Sequence, residues 1–449
     1  ANAYKEAGRY AEALEHAERA AARSSPPALR ALVAVGRMNL LLGRHAAGIE
    51  ALSAALARSP EQADWLTMRA SAWRLSGEPA RGLLDCERAL ALAPEHTLAA
   101  ANRAEALLSL GRAEEAAQAY TRLIARDPDE VRYYARRAAC FTALGRHPEV
   151  VLDLDAAIER DPQASYLVDR GVAKLRMASH NAALLDFDRA LELDPSSAPA
   201  LANRGCVLVQ LGRFGEALGC FDAAVDLDPT QAETFVFRAV AHARLEHFDE
   251  ALADYTEALR LDPSRAAVYV DRGNLQLSLA RHAEALADFD QALRVDPDFA
   301  LAYLLRAELQ SLRGRYAAAL PDFERGLELD PNDAGGWTNY GVANQSLGRL
   351  EKALGCYTRA LQLNPERVEP RYSRGMCLFL LRRHAEALAD LDPLAERQPE
   401  NADLQIARGQ CLAALGRVAE ARAAYDRALA LELSPTQRSS TEALRAKLP

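Results

Sequence analysis

Small and bulky apolar residues alternate with polar ones along this chain in a pattern that repeats every 34 residues. The residue 24 places before each repeating proline is always Gly or Ala, the residue 12 places before is Gly, Ala or once Val, and bulky residues such as Phe221, Tyr255 and Phe289 stand eight places before it. Such self-similarity indicates a repeat architecture. The prolines are spaced by 34 residues with one gap of 33, and they are Pro60, Pro94, Pro128, Pro162, Pro195, Pro229, Pro263, Pro297, Pro331, Pro365 and Pro399.

Each unit of the pattern predicts two helices of about 12 to 14 residues, each around 20 Å long. A turn such as "LGR" separates them, and its glycine, for example Gly212, suits the left-handed conformation that ends a helix. Proline then stops the second helix. One such hairpin cannot bury its apolar faces alone, so neighbouring hairpins are expected to stack. Two departures stand out: Pro393 predicts a shortened or kinked second helix, and the 33-residue gap after Pro162 predicts an irregular stack.

This unit resembles the tetratricopeptide repeat, which has small residues at its eighth and twentieth places, an aromatic at the twenty-fourth and proline at the thirty-second. The resemblance covers nearly all of the chain and implies an all-α fold. It implies an α-solenoid, a right-handed superhelix of about twelve full helix-turn-helix repeats with a partial N-terminal repeat and a C-terminal cap helix. The expected segments are a truncated repeat at 1–28, full repeats at 29–62, 63–96, 97–130, 131–163, 164–197, 198–231, 232–265, 266–299, 300–333, 334–367, 368–401 and 402–435, and the cap helix at 436–449.

Charge and composition narrow the function classes. The formal net charge is −9, with 54 basic and 63 acidic residues spread along the 449-residue chain, which argues against general nucleic-acid binding. No apolar run approaches the roughly 20 residues of a membrane-spanning helix. The seven cysteines contain no C-x-x-C pair, so we expect buried thiols in a reducing, cytoplasmic setting. The chain begins without Met, and we expect it to be a fragment or a processed form.

The resemblance implies a non-catalytic protein-interaction scaffold that binds a peptide or an extended partner segment in a concave groove. A column of histidines, His45, His147, His180, His282 and His384, could suggest a metal row, but equivalent atoms of successive units should lie at least about 10 Å apart, too far for one ion. We therefore expect no metal, no cofactor and no catalytic residue. Two alternatives remain: the recognition or regulatory array of a larger enzyme, such as a glycosyltransferase or signalling protein, and a self-assembling structural rod.

In this family the first helix of each unit lines the groove, at the second, fifth, sixth, ninth, twelfth and thirteenth places. The fifth place lacks the lysine by which the family's carboxylate clamp is recognised. The sixth place carries asparagine in only some units, so it forms an incomplete version of the asparagine ladder by which some long arrays of this family bind a peptide backbone. Asparagine suits this role because one amide can donate to a backbone C=O and accept from a backbone N–H. The candidate partner-binding residues are Asn102, Arg132, Arg136, Asp169, Arg176, Asn203, Gln210, Arg244, Asp271, Asn339 and Tyr372.

Charge is distributed unevenly over these groove places. The first five full units hold six arginines against three acids, and the next seven hold one arginine against five acids. The hypothesis is a partner with an acidic stretch toward the N-terminal half and a basic stretch toward the C-terminal half, or head-to-tail self-association.

A second charged column looks structural. In seven units an arginine stands 25 places before the proline and an aspartate nine places before it, for example Arg272 and Asp288. We expect the two side chains to pair across the hairpin. An exposed pair of this kind contributes only about 0–1 kcal/mol.

Overall fold

A computed structural model describes residues 2–23 and 26–449, with side chains from residue 9 onward. Within these ranges the chain forms helices α1 to α26 and no strand, as the repeat pattern predicts. The chain divides into two compact units, Ala1–Pro229 and Thr230–Pro449. Twelve antiparallel hairpins follow α1 (Asn2–Ala22), and α26 (Pro435–Ala446) comes after the last of them.

The first helices of the hairpins are α2 (Leu29–Leu41), α4 (Ala63–Leu75), α6 (Thr97–Ser109), α8 (Val131–Ala143), α10 (Ala164–Arg176), α12 (Ala198–Gln210), α14 (Ala232–Arg244), α16 (Ala266–Ser278), α18 (Ala300–Leu312), α20 (Ala334–Ser346), α22 (Val368–Leu380) and α24 (Ala402–Ala414). The second helices are α3 (His45–Arg58), α5 (Pro79–Leu92), α7 (Ala113–Arg126), α9 (His147–Arg160), α11 (His180–Leu193), α13 (Phe214–Leu227), α15 (Phe248–Leu261), α17 (His282–Val295), α19 (Tyr316–Leu329), α21 (Leu350–Leu363), α23 (His384–Arg397) and α25 (Val418–Leu429).

Small residues allow the two helices of a hairpin to pack closely. In the hairpin of α12 and α13, a Cβ added to Gly205 would lie only 2.5 Å from the ring of Phe221, which is completely buried. The same fit joins Gly273 to Phe289. The ring thus occupies the space that the glycine leaves, which explains why the small column and the bulky column recur together.

The turn between the two helices keeps one geometry even where its sequence changes. Gly212 has φ of 74°, in the left-handed region where glycine is favoured. Ala280 takes the same place with φ of 57°. Packing of the flanking helices therefore holds the turn in place even at a residue that has a Cβ, at a cost of about 1–2 kcal/mol.

The expectation that Pro393 shortens its helix is wrong. α23 has the same fourteen residues as most other second helices, and Pro393 lies inside it, as Pro321 lies inside α19. Leu391 and Leu394 beside Pro393 are buried. Tertiary packing of this face outweighs the loss of one backbone hydrogen bond.

The predicted pairing of arginine with aspartate across the hairpin is confirmed in all seven units. Arg272 shows the arrangement: Nε and Nη2 donate to the two carboxylate oxygens of Asp288 at 2.8 and 2.6 Å. Asp288 is only 5% exposed, so the contribution of about 0–1 kcal/mol that is typical of exposed pairs does not apply to this pair. The other pairs are Arg69 with Asp85, Arg137 with Asp153, Arg170 with Asp186, Arg238 with Asp254, Arg306 with Asp322 and Arg374 with Asp390.

The same guanidinium also reaches the preceding hairpin, which the sequence did not reveal. Nη1 of Arg272 donates to Oγ1 of Thr256 on α15 at 2.9 Å, and Nη1 of Arg306 donates to Asp290 on α17 at 2.7 Å. Where the aspartate of the unit itself is missing, as for Arg204, Nε donates instead to Asp188 of the preceding second helix. These arginines fix the stacking of successive hairpins.

Candidate functional site

The first helices form the inner layer of each stack. Successive first helices approach each other directly, as α4 does with α6, α10 with α12 and α20 with α22, whereas no two successive second helices of the described chain come as close. Every candidate residue from the sequence lies on a first helix. We call the surface formed by the second, fifth, sixth, ninth, twelfth and thirteenth places of these helices the first-helix face.

The asparagines of the proposed ladder are not equivalent. Nδ2 of Asn102 donates to Oγ of Ser71 at 2.7 Å and to the carbonyl of Thr67 at 3.3 Å, so it bridges α6 to α4. Nδ2 of Asn203 donates to the carbonyl of Pro199 in its own helix at 2.9 Å. Asn339 has no hydrogen-bond partner in the part of the chain that the structure describes, so its amide is open to a ligand.

The two candidate arginines of α8 have internal partners. Arg132 forms a two-pronged ion pair with Glu130, which lowers the pKa of that carboxyl. Arg136 pairs with Glu105 at 3.0 Å, and the hydroxyl of Tyr120 donates to the same carboxylate at 2.6 Å. Both guanidinium groups remain largely exposed, but much of their charge is compensated within the protein.

A slot opens between α8 and α10 with a volume of about 420 Å³. One wall consists of Ala135, Ala138, Ala139 and Thr142, and the other of Asp169, Val172, Ala173 and Arg176. Buried Val150 and Leu154 of α9 form its floor, and His147 lies at its edge. Asp169 and Arg176 have no ion-pair or hydrogen-bond partner among the described residues. The surrounding protein withholds water from Asp169 and raises the pKa of its carboxyl, although part of the side chain reaches solvent.

The slot coincides with the one-residue deletion in the repeat. Only residues 161–163 join α9 to α10, whereas four residues join α7 to α8 and α11 to α12. The alanines on the α8 wall leave room for the slot, which larger side chains there would fill. Sequence reasoning identified Asp169 and Arg176 but missed these lining residues, and the deletion was the available signal.

The face of the second unit carries a different set of groups. Arg244 and Asp271 have no partner among the described residues, and burial raises the pKa of Asp271. Burial and the nearby Asp333 raise the pKa of Glu308. Tyr372 borders a smaller cavity of about 280 Å³, and burial together with the charge of Asp403 raises the pKa of its hydroxyl.

Gln210, at the end of α12 in the first unit, is exposed and likewise has no partner in the described part of the chain.

The histidine column lies at the start of second helices, and its member His147 borders the slot. His45, His180, His282 and His384 each begin a second helix, with Nδ1 turned into the protein. The described residues contain no group of three or more His, Cys, Asp or Glu side chains arranged to hold a metal ion. In the same residues, no helix combines the length and the apolarity that a membrane crossing requires.

Several solved structures resemble the chain, all at low identity. The structure of YrrB, described as a TPR protein with an unusual peptide-binding site, is 23% identical over 41% of this chain and 95% of its own, with a TM-score of 0.36. Yeast Tom70 is 16% identical over 93% and 96%, with a TM-score of 0.39, and the Cut9–Hcn1 hetero-tetramer structure gives 13% over 92% and 95%, with a TM-score of 0.43. None of the curated protein sequences matches the chain.

The sequence itself matches two family models that are both described as the tetratricopeptide repeat, and together they cover more than half of the chain. One matches 1–63, 42–97, 101–165, 270–334 and 381–437, and the other matches 198–231, 232–265 and 334–367. These repeats are typical of non-catalytic protein-interaction scaffolds. The chain belongs to the tetratricopeptide repeat family.

Proposed function

We propose that the chain is a non-catalytic scaffold that holds an extended segment of a partner protein against the first-helix face. The observation that carries the proposal is the slot between α8 and α10, where Asp169 and Arg176 stand beside an apolar cavity without internal partners. Both side chains are exposed and solvated, so a ligand that supplies their partners adds two ion pairs beside the apolar contact without breaking an internal one. In the hairpin columns, by contrast, the buried aspartates already have their arginines.

The unpaired charges on the first-helix face indicate which ligand charge each unit prefers. On the face of the first unit, the arginines that lack an ion-pair partner in the described chain are Arg30, Arg37, Arg74 and Arg176, against Asp169 alone among the acids of that face. On the face of the second unit, the acids that lack one are Asp271, Glu308 and Asp403, against Arg244. We therefore propose that the first unit favours segments with net negative charge and the second unit favours segments with net positive charge.

A second candidate function is self-association through the outer surface of the second helices. Leu84, Leu152 and Leu185 occupy the same place in three hairpins of the first unit and are 61%, 67% and 70% exposed. A row of exposed leucines is typical of an interaction surface. Light scattering at increasing protein concentration tests this candidate, since the apparent mass should rise and the change of all three leucines to serine should abolish the rise.

A binding experiment tests the scaffold proposal. Random dodecapeptides displayed on phage are selected on the immobilised chain, and the dissociation constants of the best peptides are measured. The combined variant Arg176→Ala, Gln210→Ala and Asn339→Ala should weaken these peptides about tenfold, because it removes unpaired polar groups of the face. The matched control Leu84→Ser, Leu152→Ser and Leu185→Ser should change them less than twofold. Peptides that respond only to the control would contradict the proposal.

We also propose a cytoplasmic location. Its support is that the cysteines of the described residues form no disulfide and six of the seven are buried, which is typical of reducing compartments.

A further inference from the structure

We infer that the slot between α8 and α10 recognises a specific pattern in the bound segment: a large apolar side chain flanked by a cationic and an anionic residue about three positions apart. This inference rests on the proposed function and specifies its ligand. The cation is bound by Asp169 and the anion by Arg176.

The walls of the slot follow the repeat of the helix. On α10, Asp169, Val172, Ala173 and Arg176 stand at positions i, i+3, i+4 and i+7, which share one side of a helix. The wall from α8 has the same spacing. The apolar residues occupy the middle of the slot, and the two charged groups stand at the two ends of the α10 wall.

The distance between the charged ends sets the spacing of the ligand. Seven residues of α-helix rise about 10.5 Å. An extended chain covers about 3.3–3.6 Å per residue, so ligand residues three positions apart span the same length. Because side chains of an extended chain alternate, one of the two residues between them directs its side chain to the floor, and the two charged residues leave opposite sides of the ligand backbone. One of the two charged side chains therefore bends along the backbone to reach the α10 wall, which the long stems of Lys and Arg allow. The volume of about 420 Å³ suits one leucine, methionine or aromatic side chain together with adjoining backbone.

In the first helices α4 and α6, an internal hydrogen bond closes the place that corresponds to the slot. Asn102 on α6 occupies the position in its repeat that Asp169 occupies on α10, and it donates to Ser71 of the preceding first helix. At the corresponding places α10 carries a carboxylate that cannot donate, and α8 carries Ala139, which cannot accept. The bridge is therefore missing, and an acid is left open at the mouth of the slot.

The carboxylate of Asp169 is exposed and has no counter-ion within the described chain. The surrounding protein raises the pKa of Asp169, and no charged group other than Arg176 and the edge residue His147 lines the slot with it. Arg136 on the adjacent α8 is bound to Glu105. A cation brought by a ligand thus meets a carboxylate that has no internal counter-ion.

The test uses the selected dodecapeptides and a variant that copies the closed arrangement. The double variant Ala139→Ser and Asp169→Asn reproduces the Ser71 and Asn102 pair, which the same fold already accommodates, and should bind the peptides at least tenfold more weakly. The selected sequences should be enriched in an apolar residue with Lys or Arg and Asp or Glu three positions apart. Circular dichroism confirms that the variant is folded.

Double-mutant cycles assign each charge. Asp169→Asn should weaken a selected peptide about fivefold, and should have no further effect once the Lys or Arg of the peptide is changed to Gln. Arg176→Gln should behave in the same way toward the Asp or Glu of the peptide. Additive effects in both cycles would overturn the inference.

The outcomes separate the two proposals. If peptides bind and depend on the first-helix face, but lack the pattern and bind the Ala139→Ser and Asp169→Asn variant unchanged, the slot inference fails and the scaffold proposal stands. If no selected peptide depends on the first-helix face, the scaffold proposal fails and the slot inference fails with it.

Discussion

At the residue scale, one arginine connects three helices. Arg272 of α16 holds Asp288 of α17 with two hydrogen bonds and Thr256 of α15 with a third. The contact within the hairpin was predictable, because arginine and aspartate occur together in seven units. The contact with the preceding hairpin was not, because its acceptor is Ser53 for Arg69, Thr256 for Arg272 and Asp290 for Arg306, so no single residue type marks it.

Removing one partner of this pair should be costly. Arg272→Met leaves the carboxylate of Asp288 buried without a cation, and we expect the free energy of unfolding to fall by about 3–5 kcal/mol in urea denaturation. The exposed pair of Arg213 and Glu216 is the control, and Arg213→Met there should lower the free energy of unfolding far less, because water solvates and screens both groups. The double variant Arg272→Met and Asp288→Leu should recover much of the loss. Equal losses of unfolding free energy at Arg272 and Arg213 would contradict the conclusion that burial makes the Arg272–Asp288 pair important for stability.

At the element scale, the helix hairpin follows from local sequence and the slot does not. Gly205 and Phe221 stand sixteen residues apart and specify a close approach of α12 and α13 that recurs along the chain. The slot lies beside the shortened linker 161–163, and the small side chains of Ala135 and Ala139 form part of one wall. The deletion is visible in the sequence as a break in the 34-residue spacing, but the cavity becomes visible only once the helices are assembled.

The prolines inside second helices offer a test of how strongly packing controls these elements. Pro393 removes a backbone hydrogen bond within α23, so Pro393→Ala should stabilise the protein by about 1–3 kcal/mol. Pro148 stands in the first turn of α9, where its missing N–H would have no helical partner, and Pro148→Ala should change stability by less than about 1 kcal/mol. Thermal unfolding of the two variants checks the difference. A destabilising Pro393→Ala would mean that the proline ring itself is needed in the packing.

At the scale of the whole molecule, the repeat family follows from the sequence, whereas the proposed ligand chemistry depends on which charges remain unpaired. Six arginines on the face of the first five full units suggested a strongly basic surface. The structure pairs Arg132 with Glu130 and Arg136 with Glu105, and leaves Arg176 without a partner among the described residues. These pairings reduce the charge contrast that counting residues suggests, and they leave Arg176 as the unpaired arginine that lines the slot.

Mapping the contact sites of a bound peptide tests the central claim most directly. A selected dodecapeptide that carries a photoreactive diazirine in place of its apolar residue is irradiated on the folded chain, and the cross-linked residues are identified by mass spectrometry. The account predicts cross-links on first helices, concentrated on α8 and α10 near Ala139 and Val172. Cross-links confined to the second helices, around Leu152 and Leu185, would contradict it.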